Sequence, residues 1–373
     1  MKKALIVSTV SRQFTLFERV NIQILRELGY EVHGAANFED ANEMLDEIDI
    51  IFRPFDIQRS PFTLKNIKAY RQLKKIITDG NYDLIHCHSP MGGVLTRLAA
   101  QKARKQGTKV IYTAHGFHFY KGAPSINWLL YYPIERWLAR YTDVLITINK
   151  EDYERAKTFK AKKVCYIPSV GVDTQRYVNT IVDKVAKRAE IGVPKNAIML
   201  LSVGELNKNK NHEIVIRAIG KINDPNLYYV ICGKGQLFNY LNNLCKELKV
   251  SKNVILCGFR NDIAEICQAA DIYVFPSFRE GLSVALIEAM AGGLPVIASK
   301  IRGNVDLLQN GQGGYLLDPN DVAGFAETIQ GLAEDKALRE QMGQHNPDAV
   351  KQFDVENVKK VMYEIYSEVL KRG

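Results

Sequence analysis

The sequence predicts an α/β protein made of two doubly wound, parallel-sheet domains. Three observations carry that expectation. At 373 residues the chain is longer than one core of ordinary size accommodates. Short runs of β-branched and aromatic residues alternate with helix-period segments from end to end. After a charged stretch near residue 180 the alternation begins again, and strand–helix alternation is the signature of a parallel sheet covered on both faces.

In chain order, residues 3–9, 30–36, 48–53, 82–86, 109–115, 143–148 and 163–167 read as strands of the first half. Residues 14–28, 64–78, 91–105 and 125–141 read as helices between them, with Gly29 and Asp79-Gly80-Asn81 as stops. Residues 170–195 read as a crossing. The second half continues with strands at 197–203, 227–232, 253–257, 271–275 and 294–299. Its helices fall at 211–221, 237–248, 262–269, 282–291 and 321–332, and a last helix covers 354–371. The expected domains are residues 1–172 and 195–350.

Composition narrows the class. A chain that is 46% hydrophobic and 24% charged is globular. No apolar run has the length of a membrane-spanning helix, and the apolar start is only a strand long with no small-residue cleavage site. The six cysteines, at 87, 165, 232, 245, 257 and 267, are scattered without metal-site spacing and read as reduced thiols of a cytoplasmic protein. The +9 charge is uneven: residues 51–195 hold 26 basic against 11 acidic side chains. Such a basic half expects an anionic partner, and without a nucleic-acid motif a membrane surface or a phosphate-bearing acceptor fits it better.

The chemistry centres on Phe275-Pro-Ser-Phe-Arg-Glu-Gly-Leu-Ser-Val-Ala-Leu-Ile-Glu-Ala-Met290. Pro276 and Gly281 break the chain between a strand and a helix of good formers. Glu280 thus sits beside the amides of Gly281, Leu282 and Ser283, where the helix dipole is positive and an anion binds readily. Glu288 follows two turns later, so both carboxylates are expected to face one groove. The plainer alternative is one Glu serving the dipole and another on a solvated face.

The Pro-Ser-x-x-Glu-Gly spacing, followed by Glu-Ala-Met-Ala-Gly-Gly-Leu-Pro-Val-Ile-Ala-Ser, resembles the signature of retaining glycosyltransferase family 4. The resemblance spans nearly the whole chain and is strongest over residues 200–315. It implies the GT-B architecture: two Rossmann-like domains facing a cleft, with the final segment (354–373) returning to the first domain. It also implies a nucleotide-sugar donor, with UDP-sugar expected. Glu280 and the 281–283 amides would hold the transferred sugar, and Glu288 the ribose. Lys210, in Ser202-Val-Gly-Glu-Leu-Asn-Lys-Asn-Lys-Asn-His212, matches the family's phosphate-binding Lys, and Gly204 opens that loop. Glu205 stands where relatives carry Arg, so Arg279, Lys208 or Arg302 would supply the missing contact. The loop Gly258-Phe-Arg-Asn-Asp262, with Arg260, would lie along the base. In Thr113-Ala-His-Gly-Phe117, His115 matches the residue that contacts the donor sugar.

No metal is expected. There is no Asp-x-Asp motif, and His86 and His88, which flank Cys87, have no acidic partner at a convincing spacing. The segment 117–140 mixes aromatic and basic residues. Phe117, Tyr120, Lys121 and Trp128 are therefore expected to touch acceptor or membrane, the alternative being an ordinary half-buried helix and loop. The segment also resembles the family's bacterial surface-polysaccharide branch, whose acceptors are often lipid-linked saccharides. The expectation is a hexosyltransferase at the inner face of the cell membrane, passing a hexose or N-acetylhexosamine to a lipid-linked saccharide. Rival readings are a UDP-sugar epimerase, a non-catalytic nucleotide-sugar sensor and, last, a nucleic-acid binder.

Overall fold

The computed structural model describes residues 1–41 and 43–371. The chain divides into two units, one of residues 1–171 with 355–373, the other of 172–354. Residues 372–373 of the expected final segment lie outside the described residues.

The first unit is a seven-stranded, all-parallel sheet. Its strands are β1 (Lys2–Val10), β2 (Tyr30–Asn37), β3 (Ile51–Pro54), β4 (Leu84–His88), β5 (Lys109–Ala114), β6 (Val144–Thr147) and β7 (Lys163–Tyr166), in spatial order 3-2-1-4-5-6-7. Consecutive residues Ala4, Leu5, Ile6 and Val7 are all buried, the pattern of a strand covered on both faces. The helices are α1 (Arg19–Glu27), α2 (Lys65–Gly80), α3 (Pro90–Ala99), α4 (Gln101–Lys105), α5 (Ser125–Leu138) and α6 (Lys150–Ala156). Leu73 and Ile77 of α2 join Leu95 of α3 in one core with Leu5, Ile85 and Val110 of the sheet. The last helix of the chain, Val355–Lys371, also belongs to this unit and packs on α1.

The helix expected over 14–28 does not begin as an α-helix. Phe14–Glu18 form a π-helical turn ahead of α1. A π-turn re-aims side chains and recurs at functional sites; here it turns Glu18 fully inward.

The second unit is a six-stranded parallel sheet of β8 (Ile198–Val203), β9 (Leu227–Cys232), β10 (Val254–Gly258), β11 (Ile272–Phe275), β12 (Val296–Ser299) and β13 (Gly314–Leu317), in order 10-9-8-11-12-13. Its helices are α7 (Thr174–Val178), α8 (Lys184–Ile191), α9 (His212–Ile222), α10 (Phe238–Glu247), α11 (Ile263–Ala269), α12 (Val284–Ala291), α13 (Asn304–Leu307), α14 (Val322–Glu334) and α15 (Lys336–Ala349). The final helix, Val355–Lys371, is thus α16.

Two expectations are corrected. The segment 173–194 is no mere crossing: α7 packs on α11 and α12, and α8 on α11, so the second unit begins well before residue 195. Arg188 explains this. Its guanidinium is buried, donates to the carbonyls of Ala269, Lys195 and Ala197, and meets Asp271 Oδ2 at 2.7 Å. Second, the expected helix over 282–291 starts at Val284, because the Ser283 hydroxyl caps it by accepting from the Leu286 amide at 3.3 Å. Also unforeseen were α6, α13, α15 and β13. Replacing Arg188 by Ala would strand the Asp271 carboxylate and three carbonyls; we expect the second unit to lose about 3 kcal/mol in chemical denaturation, and an unchanged midpoint would dissociate α8 from the core.

Candidate active site

Both sheets reverse their strand order at one place, between β1 and β4 in the first unit and between β8 and β11 in the second. In open parallel sheets the crevice beyond the carboxyl ends of the strands at such a switch point is where ligands bind. Each unit carries a cluster of polar side chains there.

In the second unit, loop 204–211 follows β8 and loop 276–283 follows β11. Asparagines stitch the two together. Asn209 Nδ2 donates to Arg279 O at 2.9 Å, the Phe278 amide donates to Asn209 O at 2.8 Å, and Asn211 Nδ2 donates to Pro276 O at 3.1 Å. Asn207 accepts from the Lys210 amide, which fixes the turn that carries that lysine. The result is a close ion pair, Lys210 Nζ to Glu280 Oε1 at 2.8 Å, with the ammonium also 4.7 Å from the centre of the Phe275 ring. Gly204 makes room: a Cβ there would lie 3.2 Å from the Lys210 stem. Arg302 Nε donates to the Glu280 carbonyl at 3.3 Å. Gly303, at φ +85°, allows that approach, since a Cβ on it would meet the Gly281 carbonyl oxygen at 2.4 Å. Among the described residues nothing accepts from the amides of Gly281, Leu282 or Ser283.

Other expected residues are placed differently. Glu288 is half-buried on α12 beside Tyr177 of α7. Burial raises its carboxyl pKa against the opposing pull of Tyr177 and nearby Arg176. Glu280 and Glu288 therefore have separate partners. Arg260 is not a free cation: its Nε donates to Asp262 Oδ1 at 2.8 Å, and its Nη2 meets Glu190 and Asp262. Lys187 joins the same network at 2.9 Å from Asp262 and 2.7 Å from Glu265, so Arg260 serves to tie α8 to α11. Arg279 is exposed, with its carbonyl used by Asn209.

In the first unit, His115 directly follows β5. Its Nε2 lies 3.2 Å from His88 Nδ1 and 3.5 Å from Gln13 Nε2. His88 Nε2 lies 3.2 Å from Glu18 Oε2, close enough to pair by charge though off the hydrogen-bond line. Gln13 Nε2 and Asn21 Nδ2 donate to Glu18 at 2.9 and 2.7 Å. Burial works against the Glu18 charge, but His88 and then His86 hold its carboxyl far below the usual range. Burial, helped by His88, lowers His115 to about 4 and holds His86 well below its ordinary range. His86 is closed off by the Tyr366 hydroxyl of α16 at 2.6 Å and by Thr113 Oγ1 at 2.8 Å. Ser89, directly after His88, has φ +62° and ψ +156°, a costly conformation for a residue with a side chain.

Glu18 escaped the sequence reading; only His86-x-His88 was visible, and its acidic partner comes from 70 residues upstream of His88. Among the described residues Glu18, His88 and His115 bring metal-ligand atoms within 4.8 Å of one another. Yet His88 meets Glu18 through Nε2 and His115 through Nδ1, on opposite sides of its ring. A linear proton-sharing chain fits that geometry better than a cage around one ion.

The aromatic expectations are corrected too. Phe117 is 3% exposed and stacks on Phe119 at 4.8 Å, and Trp128 packs on Phe119 and Tyr132 beneath the Arg155 guanidinium. Both therefore build the core and do not project from it. Tyr120 is half-buried, and Lys121 is exposed with its amide on Glu151. What faces outward on α5 is aliphatic: Ile126, Leu129, Leu130 and Ile134, with Trp137.

Two Rossmann-like units, each with a polar cluster at its switch point, define the GT-B class of glycosyltransferases. Known proteins bear this out. The family described as "Glycosyl transferases group 1" matches residues 183–348, and "Glycosyltransferase Family 4" matches residues 22–176. The chain is 41% identical to EpsD of Bacillus subtilis, named as a glycosyltransferase, over 98% of this chain and 96% of that one. It is 32% identical to the UDP-Gal:α-D-GlcNAc-diphosphoundecaprenol α-1,3-galactosyltransferase of Escherichia coli, over 80% of each. Among solved structures, Anabaena HepE in complex with UDP aligns over 99% of this chain and 100% of that one, with a TM-score of 0.82 at 21% identity, a likeness of fold. The chain belongs to glycosyltransferase family 4.

Three histidines give the fold a pH signature. His86, His115 and His212 are all held below their ordinary range, the last to about 4 by burial and then by Lys210. The unfolded chain binds protons on them near pH 6.5 and the folded chain only well below that, so stability is full above 6.5 and is lost as pH falls below it. Thermal unfolding followed from pH 7 to pH 4 should show the midpoint falling steadily; a flat profile would mean that these rings are not held neutral in the fold.

Proposed function

We propose that this glycosyltransferase moves a hexose or N-acetylhexosamine from a UDP-sugar, with retention of configuration, to a polyprenyl-diphosphate-linked saccharide. The observation that carries the reading is the Lys210–Glu280 pair, set beside the unpartnered amides of Gly281, Leu282 and Ser283. A phosphate oxygen accepting from Lys210 and a sugar hydroxyl donating to Glu280 would exchange one internal pair for two donor contacts. The 281–283 amides and Lys210 offer positive charge where a leaving diphosphate gains negative charge, so the reading requires no metal. The acceptor hydroxyl would attack from the face that UDP leaves, and the diphosphate would take its proton. Glu288 would hold the ribose. The relative that acts on a diphosphoundecaprenol-linked sugar supports the acceptor class.

The same reading places the enzyme on an anionic membrane surface. No helix among the described residues is long and apolar enough to cross a membrane. Support comes from the outward stripe of α5 and from Phe62, Leu64 and Ile67 at the start of α2, all exposed. Phe62, Leu64 and Ile67 line one groove with Lys74, Lys102 and Lys105, and α3 packs against both α2 and α5. Apolar residues among cations are the composition of an interfacial patch.

A thermal-shift panel of UDP, GDP, ADP and several UDP-sugars, with and without EDTA, tests the donor. UDP and one UDP-sugar should stabilise the protein whether or not EDTA is present; no shift with any nucleotide would sink the donor assignment. Glu280→Ala should abolish transfer with the fold intact. Lys210→Ala should lower kcat by about a hundredfold, whereas an unchanged rate would move the phosphate role to Arg279 or Arg302. For the membrane, flotation with phosphatidylglycerol vesicles should carry the protein upward, and Leu129→Glu should release it. Equal flotation of both proteins would take α5 out of the interface.

A further inference from the structure

We propose that Glu18 and His88 are positioning residues that fix His115 as a neutral imidazole with its hydrogen on Nδ1, the nitrogen turned away from His88. The placement of the hydrogen stands on the first unit alone; its consequence for transfer rests on the reading of His115 as a donor-site residue.

The argument starts from charge. Glu18 is 1% exposed and, when ionised, can only accept hydrogen bonds. Gln13 and Asn21 supply neutral donors, and among the described residues no Lys or Arg forms an ion pair with it. A buried carboxylate needs a compensating cation, and the ring against it is His88 at 3.2 Å. His86 is no rival for that proton, because Tyr366 and Thr113 occupy its two nitrogens. The charge-balanced state therefore places the proton on His88, which then carries hydrogen on both nitrogens.

The consequence passes along the chain of rings. The second hydrogen of His88, on Nδ1, points at His115 Nε2, 3.2 Å away. His115 Nε2 then accepts and its own hydrogen sits on Nδ1. Gln13 agrees with this, since it presents its amide nitrogen, a donor, to the same Nε2 at 3.5 Å. His115 Nδ1 makes no hydrogen bond among the described residues, so its N–H is available to an oxygen of a bound ligand. If Glu18 loses its charge, His88 has no reason to hold the second proton. Its bare Nδ1 would then accept from His115 Nε2–H, and His115 Nδ1 would change from donor to acceptor with no change in shape. The groups facing the pair are Glu18 and Gln13 from the first turn, His86 on β4, Thr113 on β5, His115 just after it, and Tyr366 on α16.

Long-range ¹H–¹⁵N correlation spectra of the protein labelled on its histidine rings read the tautomers directly, and His115→Asn identifies the signals of His115. At pH 7 we expect His115 protonated on Nδ1 and His88 on both nitrogens, and Glu18→Gln should move the His115 hydrogen to Nε2. Wild-type spectra with the His115 hydrogen on Nε2 would overturn the proposal without recourse to any variant that fails to fold, and so would an unshifted tautomer in a folded Glu18→Gln protein. Kinetics then separate this proposal from the donor-site reading, using whichever of UDP-glucose, UDP-galactose and UDP-N-acetylglucosamine the wild-type enzyme turns over. Glu18→Gln should lower kcat by about ten- to a hundredfold, the order seen when a carboxylate that orients a working histidine is lost, and should displace the pH profile. An inverted tautomer with unchanged kcat would uphold the hydrogen placement and remove His115 from the donor site.

Discussion

Everything functional in this chain depends on one topological constraint, the reversal of strand order in a parallel sheet. Where two adjacent strands send their following loops to opposite faces, a notch is left at the carboxyl ends and backbone groups there lack neighbours. In the second unit that notch receives Lys210 from the loop after β8 and Glu280 from the loop after β11. In the first it receives Glu18 from the turn after β1, His88 from β4 and His115 from the loop after β5. Buried hydrophobic strands hold these loops in place, and the loops carry the charge.

The two notches solve the problem of charge in different ways. Lys210 and Glu280 are each partly exposed and neutralise one another directly, an arrangement a ligand can open at modest cost. The Glu18 carboxylate is wholly buried and leans on aromatic nitrogen bases, which share a proton and transmit its position. One cluster is suited to exchanging partners, the other to holding a direction.

Much of this was legible in the residues. The strands of both sheets, β13 excepted, and the Glu280 turn follow from local signals: β-branched runs, Pro and Gly breaks, and spacing within one stretch; Lys210 stood out only through the family resemblance of its loop. Lys210 and Glu280 were foreseen as ligands of a donor, but not as each other's partner, because ion pairing across 70 residues leaves no local trace. Glu18 was invisible for the same reason, and because a π-turn, not an α-helix, aims it inward. Helix α15 has too polar a sequence to show an apolar period. Aromatic-plus-basic composition was a poor guide to exposure: Phe117, Phe119 and Trp128 pack inward, with Arg155 stacked on Trp128, while Trp137 and the aliphatic residues of α5 meet solvent.

The hydrogen bond from α16 to His86 bears on how the molecule is made. Tyr366 closes a histidine network whose other members all lie before residue 116, and the whole of the second unit is synthesised in between. The second unit is one continuous segment and is free to fold as soon as it emerges, whereas the first must wait for its last helix. During that wait His86 lacks its Tyr366 partner and α1 lacks the helix that packs on it. A nascent chain thus holds a finished charged notch in the second unit before the histidine rings of the first are locked, and the two halves of the machinery mature in the reverse of their order in the sequence.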